Sequence, residues 1–473
     1  MTETHTLFGQ AEAAWRGGNA ASAESLSERV LALDPVHAGA LMILTNLRFA
    51  AGDVAGARPH LERLAALVPG DPMILGNLGR ARLAADELDA AAAAFTKVLD
   101  ADPDNARALD GLGIVRHRQG DYAAAADLHE KATAADPGFA AAWCNLGIAL
   151  TDLGRFAAGA EALDRALAID PGDARTRFNR AILFLLAGDL ARGWPLYEAR
   201  LAFLGQPLPT GERWTGGRLS GDRVLLTPEQ GFGDVIQFAR FAPLVRELGG
   251  SPVLAVPGAL MSLVSGQGWD IEIALADDPP ATPLWCPLMS LGAVLNLNRA
   301  DISGAPYLRA PASEADGAGN GLRVGLAWSG NPTHRRDRAR SLRLADLAPL
   351  FEIPGVAFIS LQVGLRPGDA DEMSRRPDLF ADTPPLHDFA DTAAVVAGLD
   401  LVVSADTAVL HLAGALGVAA WGLLPFVPDW RWGPSGGTTP WYDSLRLYRQ
   451  PRPGDWPDVV QRVAADLGRI KRD

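Results

Sequence analysis

The sequence predicts an α + α/β protein, an N-terminal α-solenoid followed by two parallel-sheet halves. Three observations carry that reading. Pro35, Pro69, Pro103, Pro137 and Pro171 stand 34 residues apart. From about residue 205, short apolar runs alternate with helical patterns, the signature of parallel strands covered on both faces. The alanine- and glycine-rich loop 310–321 then splits this later region into halves, each opening on a strand.

The solenoid rests on more than prolines. Gly18, Gly52, Asp86, Gly120, Gly154 and Gly188 form a second ladder with the same step, and apolar positions recur at helical spacing within each unit, as in Trp143, Leu146 and Leu150. This layout resembles the tetratricopeptide repeat, a helix–turn–helix unit. An atypical segment at about 174–204 reads as a cap, so the array is expected to span 1–204 and a linker 205–219. One such hairpin cannot bury its apolar face alone, so the units are expected to stack around a concave surface. Asn77, Asn145 and Asn179 share one repeat position there, interrupted by Gly111. An amide both donates and accepts, which suits an extended peptide backbone. In the repeat arrays of protein O-glycosyltransferases such a ladder holds peptide, so the resemblance implies acceptor-peptide binding here. Arg48, Arg82 and Arg116 form a further ladder suited to carboxylates. The plainer alternative is a solvated helical face.

Composition narrows the functional classes. At 473 residues several domains are expected. A net charge of -13 argues against nucleic acid as a general partner. No apolar run approaches the roughly 20 residues of a membrane helix, and "MTETHTLFGQ" lacks the pattern of a signal peptide. Cys144 and Cys286 have neither metal nor redox spacing. A cytoplasmic location is expected.

In the later region, "RVLLTP", "SPVLAVP", "RVGLAWS", "VAFISL", "LDLVVS" and "VAAWGLL" read as strands. Helical stretches at 234–248, 388–398 and 406–416 separate them, and a closing helix at 457–470 is expected to pack back across both halves. The motif "EQGFGDVIQFARFAPL" resembles the first βα turn of heptosyltransferase-like glycosyltransferases, and "SADTAVLHLAGALG" resembles their second motif. "WSGNPTHRRDRARSL" and "PFVPDWRW" are similar to a bacterial subgroup that fuses this domain to tetratricopeptide repeats. The resemblance runs from about residue 220 to the end. It implies a GT-B transferase of two Rossmann-like halves, 220–312 facing the acceptor and 321–473 binding the donor. Some alphaproteobacterial proteins of this layout glycosylate flagellin in the cytosol. The expectation is therefore a metal-independent, inverting glycosyltransferase that moves a sugar from a nucleotide-sugar co-substrate to a protein acceptor such as flagellin. A nonulosonic-acid donor fits that layout, and no cofactor is expected. Two alternatives stand beside it: a sugar-to-sugar transferase, or a protein-binding scaffold with a decayed transferase half.

Within this resemblance Asp234 matches the family's proposed catalytic base. A carboxylate at a cleft can take the proton of an attacking hydroxyl. Asp234 followed by Gln237 also fits a capping box, a purely structural role. Ser404, Asp406, Thr407, Ala408 and His411 belong to the expected donor site, where helix N–H groups would face a phosphate. Asp406 equally suits an N-cap, and a helical histidine is more often packed than catalytic. Asn331, His334, Arg335, Arg336, Arg338 and Arg340 crowd one loop, and arginine forks match phosphate oxygens. Arg340 falls nearest the family's basic residue, Asn331 and Arg336 accompany it, and Gln362 is a weaker nucleotide contact. A solvated charge run is the alternative. Asp369 and Asp371 form a D-x-D expected to lie exposed in a loop, and Trp430 and Trp432 are expected either to stack on ligand or to act as domain glue.

Overall fold

The computed structural model describes residues 3–205, 208–312, 321–334, 336–380 and 383–470. Arg335 and most of the loop 310–321 lie outside them. The chain divides after Thr176 into two compact units, Met1–Thr176 and Arg177–Asp473. The expected array boundary at 204 thus falls inside the second unit.

The first unit is a run of helix pairs, beginning with Glu3–Arg16 and Ala20–Leu33 and ending with Ala140–Asp152 and Phe156–Ile169. The glycine ladder has a backbone cause. Gly18, Gly52, Gly120 and Gly154 all have φ between 74° and 86°, and Asp86 takes φ 61° at the same position. The turn within each repeat demands a left-handed residue, which a side chain resists. Asp86→Gly is therefore expected to be about 1 kcal/mol more stable than Asp86→Ala in equilibrium denaturation. Equal stability of the two variants would exclude backbone strain at Asp86.

Small residues let helices approach both within a pair and between pairs. A Cβ on Gly147 would stand 2.6 Å from Cγ of Leu163 in the same pair, and one on Gly111 would stand 2.5 Å from Cζ of Phe95 in the preceding pair. This explains the gap in the asparagine ladder, because the Phe95 ring occupies the space that a side chain at 111 would need.

The second unit contains two five-stranded sheets in which every strand pair is parallel. The first has the order β1 (Glu212–Arg213), β5 (Leu284–Pro287), β2 (Arg223–Thr227), β3 (Ser251–Val256) and β4 (Glu272–Leu275). The second has the order β10 (Leu445–Arg449), β9 (Ala420–Leu424), β8 (Leu401–Ala405), β6 (Leu322–Ala327) and β7 (Val356–Ser360). All six apolar runs read from sequence are strands. The additional β1, β4, β5 and β10 are short or carry charged residues, which weakens their apolar signal.

The closing helix, Trp456–Ile470, buries Val459, Val460, Val463 and Leu467 in the core of the second sheet, together with Trp421 and Tyr448. Its apolar stripe is thereby used within one half, which corrects the expected packing across both. The segment preceding the first sheet is bolted to that sheet's half. Trp194 Nε1 donates to the Leu297 carbonyl at 2.9 Å. The fully buried Arg200 bonds Glu229 through Nε at 3.0 Å and Nη2 at 2.7 Å. Glu229, in the first motif, thus serves as a structural anchor.

Candidate active site

Two motif helices leave the carboxyl ends of central strands in opposite sheets. Phe232–Ala239 follows β2 and Ala408–Leu416 follows β8. Open parallel sheets bind ligands at those strand ends. The helices touch, and glycine permits it: a Cβ on Gly233 would stand 2.7 Å from Cδ2 of His411 and 3.5 Å from Cα of Ala408.

Asp234 is the third residue of its helix and not the cap itself, since Gly231 occupies that place. One carboxylate oxygen accepts the Gly231 N–H at 2.8 Å, while the other is paired with Arg431. Arg431 reaches from a 3₁₀ turn, Trp430–Trp432, in the second half. Its guanidinium also donates to Asp429 at 2.8 Å and to the Gln237 side chain, and lies 4.3 Å from the Trp430 ring centre. Arg431 is only 5% exposed. Burial works against its charge, but Asp429 and Asp234 more than compensate and hold it protonated. Burial also pushes Asp429 upward, yet Arg431 beside it leaves that carboxyl below its ordinary pKa.

The second motif lies against this cluster. Thr407, and not Asp406, caps the helix, its hydroxyl accepting the Val409 N–H at 3.3 Å. Ser404 is buried, with its hydroxyl 3.1 Å from that of Thr407, and Ala408 opens the helix. Asp406 is 8% exposed. Burial pushes its carboxyl up to about 6, the charge of Asp429 adding to the rise against Arg340, the Trp432 indole and Arg431. His411 is buried and held neutral: desolvation, reinforced by Arg431, lowers it to about 3. Its Nδ1 lies 2.9 Å from the Tyr442 hydroxyl.

Asp406 provides a stability test. Folded, this carboxyl keeps its proton to about pH 6, whereas its ordinary value is 3.8. Ionisation therefore opposes folding as pH rises through that window, and the cost is complete above it. Asp406→Asn is expected to exceed the parent chain by about 1–3 kcal/mol at pH 8. The advantage should vanish near pH 4. Denaturation curves at the two pH values decide it, and a less stable Asn variant at pH 8 would contradict the assignment.

From the basic loop, Arg340 donates to the Asp406 carbonyl at 3.1 Å and packs over Gly330, while Arg336 donates to the Val427 carbonyl at 3.0 Å. Arg340 therefore stands beside the second motif, and Arg336 beside the segment that carries Arg431. Asn331 is exposed and accepts from the Thr333 N–H and hydroxyl. The Gln362 carbonyl accepts from the backbone N–H groups of Trp328 and Ser329, and its amide donates to the Ser329 carbonyl at 3.0 Å. Gln362 thus shapes the loop after β6.

The D-x-D segment departs from its expected loop. It lies in the helix Pro367–Arg375, and Asp369 is buried, accepting Trp328 Nε1 at 2.9 Å and the Leu344 N–H at 2.8 Å. Asp369 is a structural acceptor, while Asp371 is exposed. Trp430 and Trp432 are buried among Trp194, Trp441 and His411. They act as internal packing.

In the first unit, Asn145 is 5% exposed and its amide is already engaged, donating to Asp110 at 2.8 Å and accepting from Arg175 at 2.8 Å. Asn77 accepts weakly from Arg80 at 3.4 Å. Asn179 lies on Ala174–Leu186, beyond the division after Thr176. Arg48 and Arg82 of the arginine ladder meet the chain's own Glu24 and Glu62. Sequence reasoning missed Arg431, Asp429 and Tyr442, and it read Gln237 as a capping partner, whereas its side chain accepts from Arg431. An arginine between two tryptophans, two residues after an aspartate, was the available signal.

The fold defines a tetratricopeptide solenoid joined to a parallel-sheet α/β region. Profiles of the tetratricopeptide repeat match residues 8–72, 77–138 and 116–177. Protein FlbA of Caulobacter vibrioides is 29% identical over 336 residues, covering 61% of this chain and 54% of its own length. The chain thus spans about half of that curated relative. The shared share exceeds the whole first unit, so the likeness extends into the α/β region. Among solved structures, MamA protein is 24% identical, covering 37% of this chain and 96% of its own, at a TM-score of 0.33. PilW, a type IV pilus biogenesis factor, is 17% identical, covering 44% of this chain and 96% of its own, at 0.37. Among the described residues no helix is long and apolar enough to cross a membrane.

Proposed function

We propose that the α/β region is a GT-B glycosyltransferase that moves a sugar from a nucleotide-sugar to a protein acceptor recruited by the repeats. The observation that carries this reading is the meeting of the Asp234 helix with the Ala408–Leu416 helix of the other sheet at Gly233, where Arg431 pairs with Asp234. The acceptor hydroxyl attacks the anomeric carbon and passes its proton to Asp234, while the bond to the donor phosphate breaks. The departing phosphate oxygen takes the electron pair. Helix N–H groups at Ala408 and the cation of Arg340 stabilise it. Direct displacement inverts the anomeric centre. Ser404, Asp406, Thr407 and His411 shape the donor site, with Arg336, Asn331 and Gln362 at its loops. Asn77, Asn145 and Asn179 serve the acceptor peptide, for which Asn145 must exchange its present partners. Flagellin serine or threonine is the acceptor that the family resemblance favours.

The test is thermal shift of the full chain against a panel of nucleoside mono- and diphosphates, with chelator present. One nucleotide should raise the melting temperature, and Arg340→Gln should remove most of that rise. A parent chain indifferent to every nucleotide would overturn the transferase reading. A shift that needs manganese or magnesium would overturn its metal-independent form.

A further inference from the structure

We infer that the outer groove between the second and third helix pairs of the repeat array is a docking site for an acidic segment of a partner protein that inserts one large apolar side chain. This inference does not depend on the transferase reading.

The groove exists because one repeat lacks a filler. Counting by 34, Ala65 occupies the position held by Leu31, Leu99, Thr133 and Leu167 elsewhere. Leu31 packs against the apolar clusters on both of its sides, and Leu99 does the same two repeats later. Ala65 also lies between two clusters, but with a methyl group alone. An open groove of about 430 Å³ results, with Ala65, Leu75, Leu78 and Ala94 contributing its apolar lining. Beside it Val68 is 45% exposed and Met73 59% exposed, which extends the apolar surface.

Charge identifies the occupant. Arg82, Lys97 and the carboxylate Glu62 stand in the lining. Arg82 meets Glu62 at 3.3 Å, whereas Lys97 has no ion pair among the described residues. Lys97 thus leaves one positive charge in excess in the groove, which selects carboxylates, while the net charge of -13 on each chain opposes docking of a second copy by overall repulsion. An inserted leucine or phenylalanine supplies the buried area, and flanking acids supply orientation.

The probe is a fluorescein-labelled hexapeptide of two glutamates, leucine, phenylalanine and two glutamates, titrated with the full chain at low salt. Its control replaces every glutamate by lysine. The acidic peptide should saturate and the basic peptide should not. Ala65→Leu installs the side chain that other repeats already accommodate, so the array should fold with unchanged or higher melting temperature. It should weaken the peptide about ten-fold or more by filling the groove. Lys97→Glu should also weaken it, and added salt should reduce parent affinity. No saturation by the acidic peptide, equal binding of both peptides, or parent-like affinity in a folded Ala65→Leu chain would overturn the proposal. Sedimentation tests the other occupant: self-association lost in Ala65→Leu would assign the groove to a second copy and overturn it equally.

Discussion

Asp234→Asn is expected to lower single-turnover transfer by about a hundred- to ten-thousand-fold, the range of general-base catalysis. Donor binding should change little, since the proposed phosphate contacts, Ala408 and Arg340, belong to the second sheet's half. The structure sharpens this experiment. Asp234 accepts from the Gly231 N–H with one oxygen and pairs with Arg431 through the other. Asparagine has one carbonyl oxygen, so its amide nitrogen must face one of those donors. Some stability loss, about 1–3 kcal/mol, is therefore expected even without catalysis. Melting by itself would no longer separate cap from base. Transfer measured well below the variant's melting temperature does so, and normal transfer would end the catalytic assignment.

Arg431→Met should have the largest effect on stability, about 3 kcal/mol at neutral pH. Removing one partner of a buried ion pair leaves charge uncompensated, here on Asp234 and Asp429. The loss stays at the lower end of the range for buried pairs because Asp429 retains 37% side-chain exposure and water screens it. The pH dependence follows from Asp429. Despite burial, Arg431 holds its folded pKa below the ordinary 3.8. That contribution is present above about pH 4 and is lost as pH falls through the folded value. The gap between parent and variant should therefore be widest near pH 7 and narrow toward pH 3. Urea denaturation across that range measures it. A constant gap would mean that Arg431 stabilises by packing on Trp430 and not by pairing.

The local chain determined the repeat register and most of the sheet. Proline and glycine at 34-residue steps mark where a helix must stop or turn left-handed, a backbone constraint that needs no distant partner. The six strong apolar runs became strands because buried parallel strands require them. The proposed site was legible only in parts. Asp234 and the Asp406–His411 motif could be picked out along the chain, but their meeting depends on Gly233 admitting the His411 ring from another sheet. Arg431 lies 197 residues from Asp234, and its pairing is a product of that closure. The same holds for Asp369, whose burial against Trp328 and Leu344 overturned its reading as an exposed loop acid. Periodicity reports what each segment must bury, whereas the partners of a buried charge are chosen when separate segments exclude water together.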